Sequence, residues 1–126
     1  MITRYTEYIK ESLTTKQSIK EWLDNMNINN YTINDDLTVD VDNYVDISQK
    51  KLTTIPIKFN KINGSFYCYS NNLTTLKGCP TNVKGNFFCY DNDLEDINDL
   101  DINILLRTNL NDITVKQEVY DKYFEY

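Results

Sequence analysis

The chain has 126 residues, 40% hydrophobic and 13% aromatic, and a formal net charge of −6 from 19 acidic and 13 basic residues. This is the size of one domain, 1–126, and it is too apolar for a disordered chain, while 3 Gly and 2 Pro argue against low complexity. The acidic balance disfavours direct nucleic-acid binding and docking on an anionic membrane, both of which draw on Lys and Arg.

In chain order, Tyr5, Tyr8, Ile9 and Leu13 predict a first helix. Ile19, Trp22, Leu23 and Met26 follow at helical spacing and predict a helix over 15–26, with Thr14-x-x-Gln17 as a capping-box match. Asn27-Ile28-Asn29-Asn30 ends it. Tyr31 and Ile33, then Val39 and Val41, alternate about the turn-rich Asn34-Asp35-Asp36, which predicts a hairpin. Residues 1–40 thus form an N-terminal helical and hairpin cap.

From residue 41 to 105 the chain repeats itself. Gly64-Ser65-Phe66-Tyr67-Cys68-Tyr69-Ser70-Asn71-Asn72-Leu73 returns 21 residues later as Gly85-Asn86-Phe87-Phe88-Cys89-Tyr90-Asp91-Asn92-Asp93-Leu94, and a weaker copy begins at Asn43. The period aligns five apolar series: Val41, Ile62, Val83 and Ile104; Val45, Phe66 and Phe87; Ile47, Cys68, Cys89 and Leu110; Leu52, Leu73, Leu94 and Val115; Ile55, Leu76 and Ile97. Each is predicted to be a column of the core. Phe66 and Cys68 stand two apart, as do Phe87 and Cys89, which is strand spacing with both side chains on one face. Thr108 interrupts the pattern, and Thr114-x-x-Gln117 with Val115, Val119 and Tyr123 predicts a closing helix over 114–124 within a C-terminal cap, 106–126.

The run Phe-x-Cys-x-x-Asn-x-Leu resembles the leucine-rich repeat, with Asn71 and Asn92 on its Asn position and Lys50 in that place in the first copy. The resemblance implies an α+β fold: a short leucine-rich-repeat-like solenoid of about three units with a parallel strand ladder, an N-terminal helical cap and hairpin, and a C-terminal capping helix. It also implies that both Asn side chains bond backbone groups of neighbouring turns. The wording Leu76-Lys77-Gly78-Cys79-Pro80, then Val83-Lys84-Gly85-Asn86-Phe87-Phe88-Cys89-Tyr90, is similar to small repeat proteins of tailed bacteriophages.

Catalysis finds little support. There is no His for acid–base work, no Gly-rich phosphate loop and no zinc spacing, so the chain reads as a non-enzyme with no cofactor and no metal. Asp91-Asn92-Asp93-Leu94-Glu95-Asp96 has alternating acids but Asp96 in place of a calcium loop's glycine. Cys68 and Cys89 read as small buried hydrophobes. The Met1–Glu7 stretch has no leader-like apolar segment and no run approaches a membrane span, so the expectation is a cytoplasmic protein, in the host cytoplasm if phage-encoded.

The side chains between core positions are the sharper signal. Tyr67 and Tyr69 in one unit, and Phe88 and Tyr90 in the next, are predicted to stack as two exposed aromatic columns, with Asp46 and Ser48 in those places in the first unit. An exposed apolar patch on an acidic protein marks an interface. Tyr67, Tyr69, Phe88, Tyr90 and Asp46 are the candidate binding residues. The function read from them is a non-catalytic protein-binding module, a phage protein that modulates or inhibits a host factor such as a defence enzyme. The alternatives are an acidic nucleic-acid mimic, using Asp35, Asp36, Asp40, Asp42 and Asp46 to enter a basic groove, and a structural or assembly protein.

Overall fold

The computed structural model describes residues 13–95 and the backbone of 113–115. Its helix α1 (Lys16–Asn25) begins at Thr15, one residue later than the Thr14-x-x-Gln17 match predicts. Thr15 is extended, its Oγ1 accepts from Ser18 N at 3.0 Å, and Ser18 Oγ accepts from Thr15 N at 3.3 Å. Ser18 therefore fills the role that sequence spacing gives to Gln17. Asn27 stops the helix in the left-handed conformation at φ 58°. Asn27 N then donates to Asp24 O and Ile28 N to Leu23 O, a Schellman pair that caps the last carbonyls. Ile19, Trp22 and Leu23 bury one face of the helix. Leu13 is buried but not helical, its N–H bonded to Pro56 O; the other residues of the first predicted helix lie outside the described residues.

Strands β1 (Tyr31–Ile33) and β2 (Thr38–Val41) pair antiparallel, so the hairpin over 31–41 is present. From β2 onward each period contributes two strands: β2 and β3 (Val45–Asp46), β4 (Lys58–Ile62) and β5 (Phe66–Tyr67), β6 (Asn82–Val83) and β7 (Phe87–Leu94). They sort into two four-stranded sheets. One is mixed, ordered β1-β2-β4-β6; the other is parallel, ordered β3-β5-β7-β8, where β8 is Ile113–Val115.

This corrects the expected architecture. The molecule is a small α+β arrangement with one described helix and two sheets, not a leucine-rich-repeat-like solenoid on a single ladder. The segments that link one unit to the next supply β4 and β6, because the chain bends at Asn63-Gly64 and Lys84-Gly85 and pairs on both sides of the bend. A closing helix over 114–124 is also overturned at its start, since 113–115 pairs parallel with β7; residues 116–124 lie outside the described residues, as do 96–105.

Strands one period apart meet in register, Val41 with Ile62 and Ile62 with Val83 in one sheet, Val45 with Phe66 and Phe66 with Phe87 in the other. A slip of one residue would turn every core side chain to solvent, so the matched apolar series hold this register. All the members of the five series within residues 13–95 are buried. Phe59 joins the two ends of the core: its ring is fully buried, 6.2 Å from Trp22 and 5.2 Å from Phe66. Gly64 sits where one bend lies on the previous one, and a Cβ there would stand 2.8 Å from Tyr44 N.

Candidate functional site

The parallel sheet fixes the site through its side-chain alternation. With Phe66, Cys68, Phe87 and Cys89 turned into the core, Tyr67, Tyr69, Phe88 and Tyr90 must turn outward. Pairing of Tyr67 with Phe88 in register stacks their rings at 5.5 Å and 15°. Tyr69 and Tyr90 stack at 4.8 Å and 7°. The two stacks meet edge to face, Tyr67 against Tyr69 at 6.4 Å and 87°, Phe88 against Tyr90 at 6.5 Å and 74°. Aromatic pairs favour both geometries, so the four rings form a braced, amphipathic surface.

Asp46 stands on β3 opposite Tyr67. Its Oδ1 accepts from both Ser48 N and Ser48 Oγ. Together Asp46, Tyr67, Tyr69, Phe88 and Tyr90 line a recess of about 250 Å³. All five residues singled out in the sequence are thus brought to one place. Tyr90 is 41% exposed, and Tyr67, Tyr69 and Phe88 are half-buried. Tyr44 was missed. It is 57% exposed and meets Tyr67 edge-on at 6.5 Å. Its place two residues before Asp46, on the same face by strand alternation, was the signal that pointed to it.

The acidic row has a different character. Lys16 pairs with Asp35 at 2.9 Å. Asp36 accepts from Thr38 Oγ1 and N, and the Thr38 hydroxyl foremost holds its carboxyl below the ordinary value. Asp40 Oδ1 accepts from Asn60 Nδ2 at 2.9 Å and Lys61 N at 3.1 Å, and Oδ2 from Asn34 Nδ2. Burial pushes Asp40 upward, but these bonds together outweigh it and its pKa is lowered. Asp42 accepts from Asn63 Nδ2. These carboxylates knit neighbouring chain segments together.

A larger cavity, about 390 Å³, lies among Leu37, Ile55, Ile57, Lys58 and Gly78. Two of its charged groups are engaged within the fold, Lys58 Nζ donating to Cys79 O at 2.7 Å and Asp36 accepting from Thr38. Cys68, Cys79 and Cys89 are free and buried. Burial, with the neighbouring Cys79 and Cys89 thiols adding to it, pushes the Cys68 thiol well above its ordinary range. Among the described residues, no three of Cys, Asp and Glu are grouped to hold a metal, and no helix is long and apolar enough to cross a membrane. Asp91, in the alternating acidic run on β7, accepts from Ser70 Oγ of the preceding period at 2.9 Å.

Comparison with protein-family models, with curated proteins and with solved structures finds no match to the chain.

Proposed function

We propose that the chain is a non-catalytic protein-binding module whose contact surface is Tyr67, Tyr69, Phe88 and Tyr90 with Asp46 at the rim. The observation that carries this reading is the recess itself: four outward rings held in two stacks beside one carboxylate. Rigid aromatics lose little side-chain entropy on binding and dominate interface energetics. The acidic-mimic alternative is less well supported, because Asp36, Asp40 and Asp42 are engaged in bonds within the fold. The similarity of wording to small phage repeat proteins supports the finer reading, a phage protein that modulates a host factor.

The test is comparative capture from host lysate with wild type, Tyr69→Ala/Tyr90→Ala, and Asp40→Asn/Asp42→Asn. A partner retained by wild type should be lost with the aromatic variant, at a cost of about 2 kcal/mol or more, and kept with the acidic one. The reverse pattern selects the mimic. Retention by both variants removes the aromatic surface from the function.

A further inference from the structure

We infer that the recess takes an arginine side chain of a basic partner segment, which continues the aromatic stack over β3. This rests on the protein-binding reading of the same surface. The two columns end unevenly. On β5 and β7 ring lies on ring, but one period earlier the matching places hold Asp46 and Ser48. The side of Tyr67 turned toward β3 therefore has no ring stacked on it among the described residues; Tyr44 meets it only edge-on, at 63°. The recess of about 250 Å³ opens between Asp46 and the Tyr67 and Tyr69 rings, and has room for a planar group beside the stack.

The same place selects for charge. Asp46 Oδ1 is held by Ser48, and Oδ2 has no hydrogen bond among the described residues. Lys50 borders the adjoining groove with Asp46, yet no cation lies within ion-pair distance of Asp46 among the described residues. A carboxylate oxygen at the rim of stacked tyrosines, on a chain of net charge −6, favours a cationic guest. Guanidinium is the cation that is flat, stacks on a ring face and donates N–H bonds to a carboxylate in its own plane; an ammonium does not stack.

The full chain, labelled for aromatic NMR, is titrated with the peptide acetyl-Gly-Arg-Gly-Arg-Gly-amide and with its lysine and citrulline analogues. Citrulline keeps the shape and loses the charge. The arginine peptide should shift the Tyr67 and Tyr69 ring signals and bind at least about 5-fold tighter than either analogue. Asp46→Asn, which keeps the bonds to Ser48, should weaken the arginine peptide about 10-fold. Asp35→Asn, which removes the same charge elsewhere, should leave binding unchanged. Equal binding of the three peptides, or an unaffected Asp46→Asn, overturns the inference. A proline-rich peptide, a neutral oligosaccharide and a concentration series for self-association run in parallel. If the proline-rich peptide alone shifts the rings, arginine is wrong and the protein-binding surface stands. If only the sugar does, or if nothing does, both readings fall. If the rings shift on dilution, the occupant is a second copy and the arginine assignment is wrong.

Discussion

Asn71 does more for the fold than its size implies. Its Oδ1 accepts from Lys50 N at 2.9 Å and Leu52 N at 3.1 Å, and its Nδ2 donates to Ile47 O at 2.9 Å and Cys68 O at 3.1 Å. Asn92 repeats this one period later, with Leu73 N and Cys68 O. Asn71→Ala strands several buried backbone groups, each worth about 1–3 kcal/mol, so the expected loss is about 2–5 kcal/mol. Chemical denaturation should show it, with the exposed neighbour Asn72→Ala within about 0.5 kcal/mol of wild type. Cys68 gives a pH signature. Its thiol ionises at higher pH folded than unfolded, so the unfolded chain loses its proton first as pH rises above the ordinary value of 9.0. The associated stability is complete below that pH and declines above it, by up to about 1.4 kcal/mol per pH unit. Melting at pH 8 to 10 should show the decline, and Cys68→Ala should make it shallower. The burial of Cys68 was legible in its spacing from Phe66, and the backbone bonds of Asn71 were implied by the repeat resemblance; the pairing of Thr15 with Ser18 was not legible, because two overlapping cap patterns differ by a hydroxyl against an amide.

At the scale of elements, the bends carry the risk. The Cβ of Gly64→Ala would meet the backbone of Tyr44 and Asn43 rather than a movable side-chain tip. Overpacking of this kind costs about 1–3 kcal/mol, measurable as a lowered denaturation midpoint at unchanged slope. Asp40 straps β2 to β4. Its lowered pKa means that its contribution is present above the unfolded carboxylate range and is lost as pH falls through the folded value. Stability between pH 5 and 3 should therefore fall less steeply in Asp40→Asn. The core columns could be read in the sequence because each is one residue type class at one spacing. The two strands that extend the hairpin into a sheet could not. Asn82–Val83 is two residues long and Lys58–Ile62 carries two lysines, so neither looks like a strand until the neighbouring turn provides its partner.

For the whole molecule, the aromatic surface and the core are separable. Tyr90 is outward and its partner Tyr69 half-buried, so Tyr69→Ala/Tyr90→Ala should keep the far-ultraviolet circular dichroism of wild type and lose about 1–2 kcal/mol at most, the worth of one stacked pair with its burial. Unfolding of the variant at room temperature would place these rings in the stabilising framework instead. The surface was legible because alternation about Phe66 and Phe87 leaves only one direction for the residues between them. What the sequence withheld was that the chain folds across its bends into two sheets. That arrangement bears on how the protein yields to force. Parallel partners are separated by a period of chain, Phe66 from Phe87 for example. Tension applied across residues 13–95 draws on these partners one period at a time. The chain should therefore peel strand by strand at low load, each release paying out about 70 Å of extended backbone, in a staircase that single-molecule stretching would resolve.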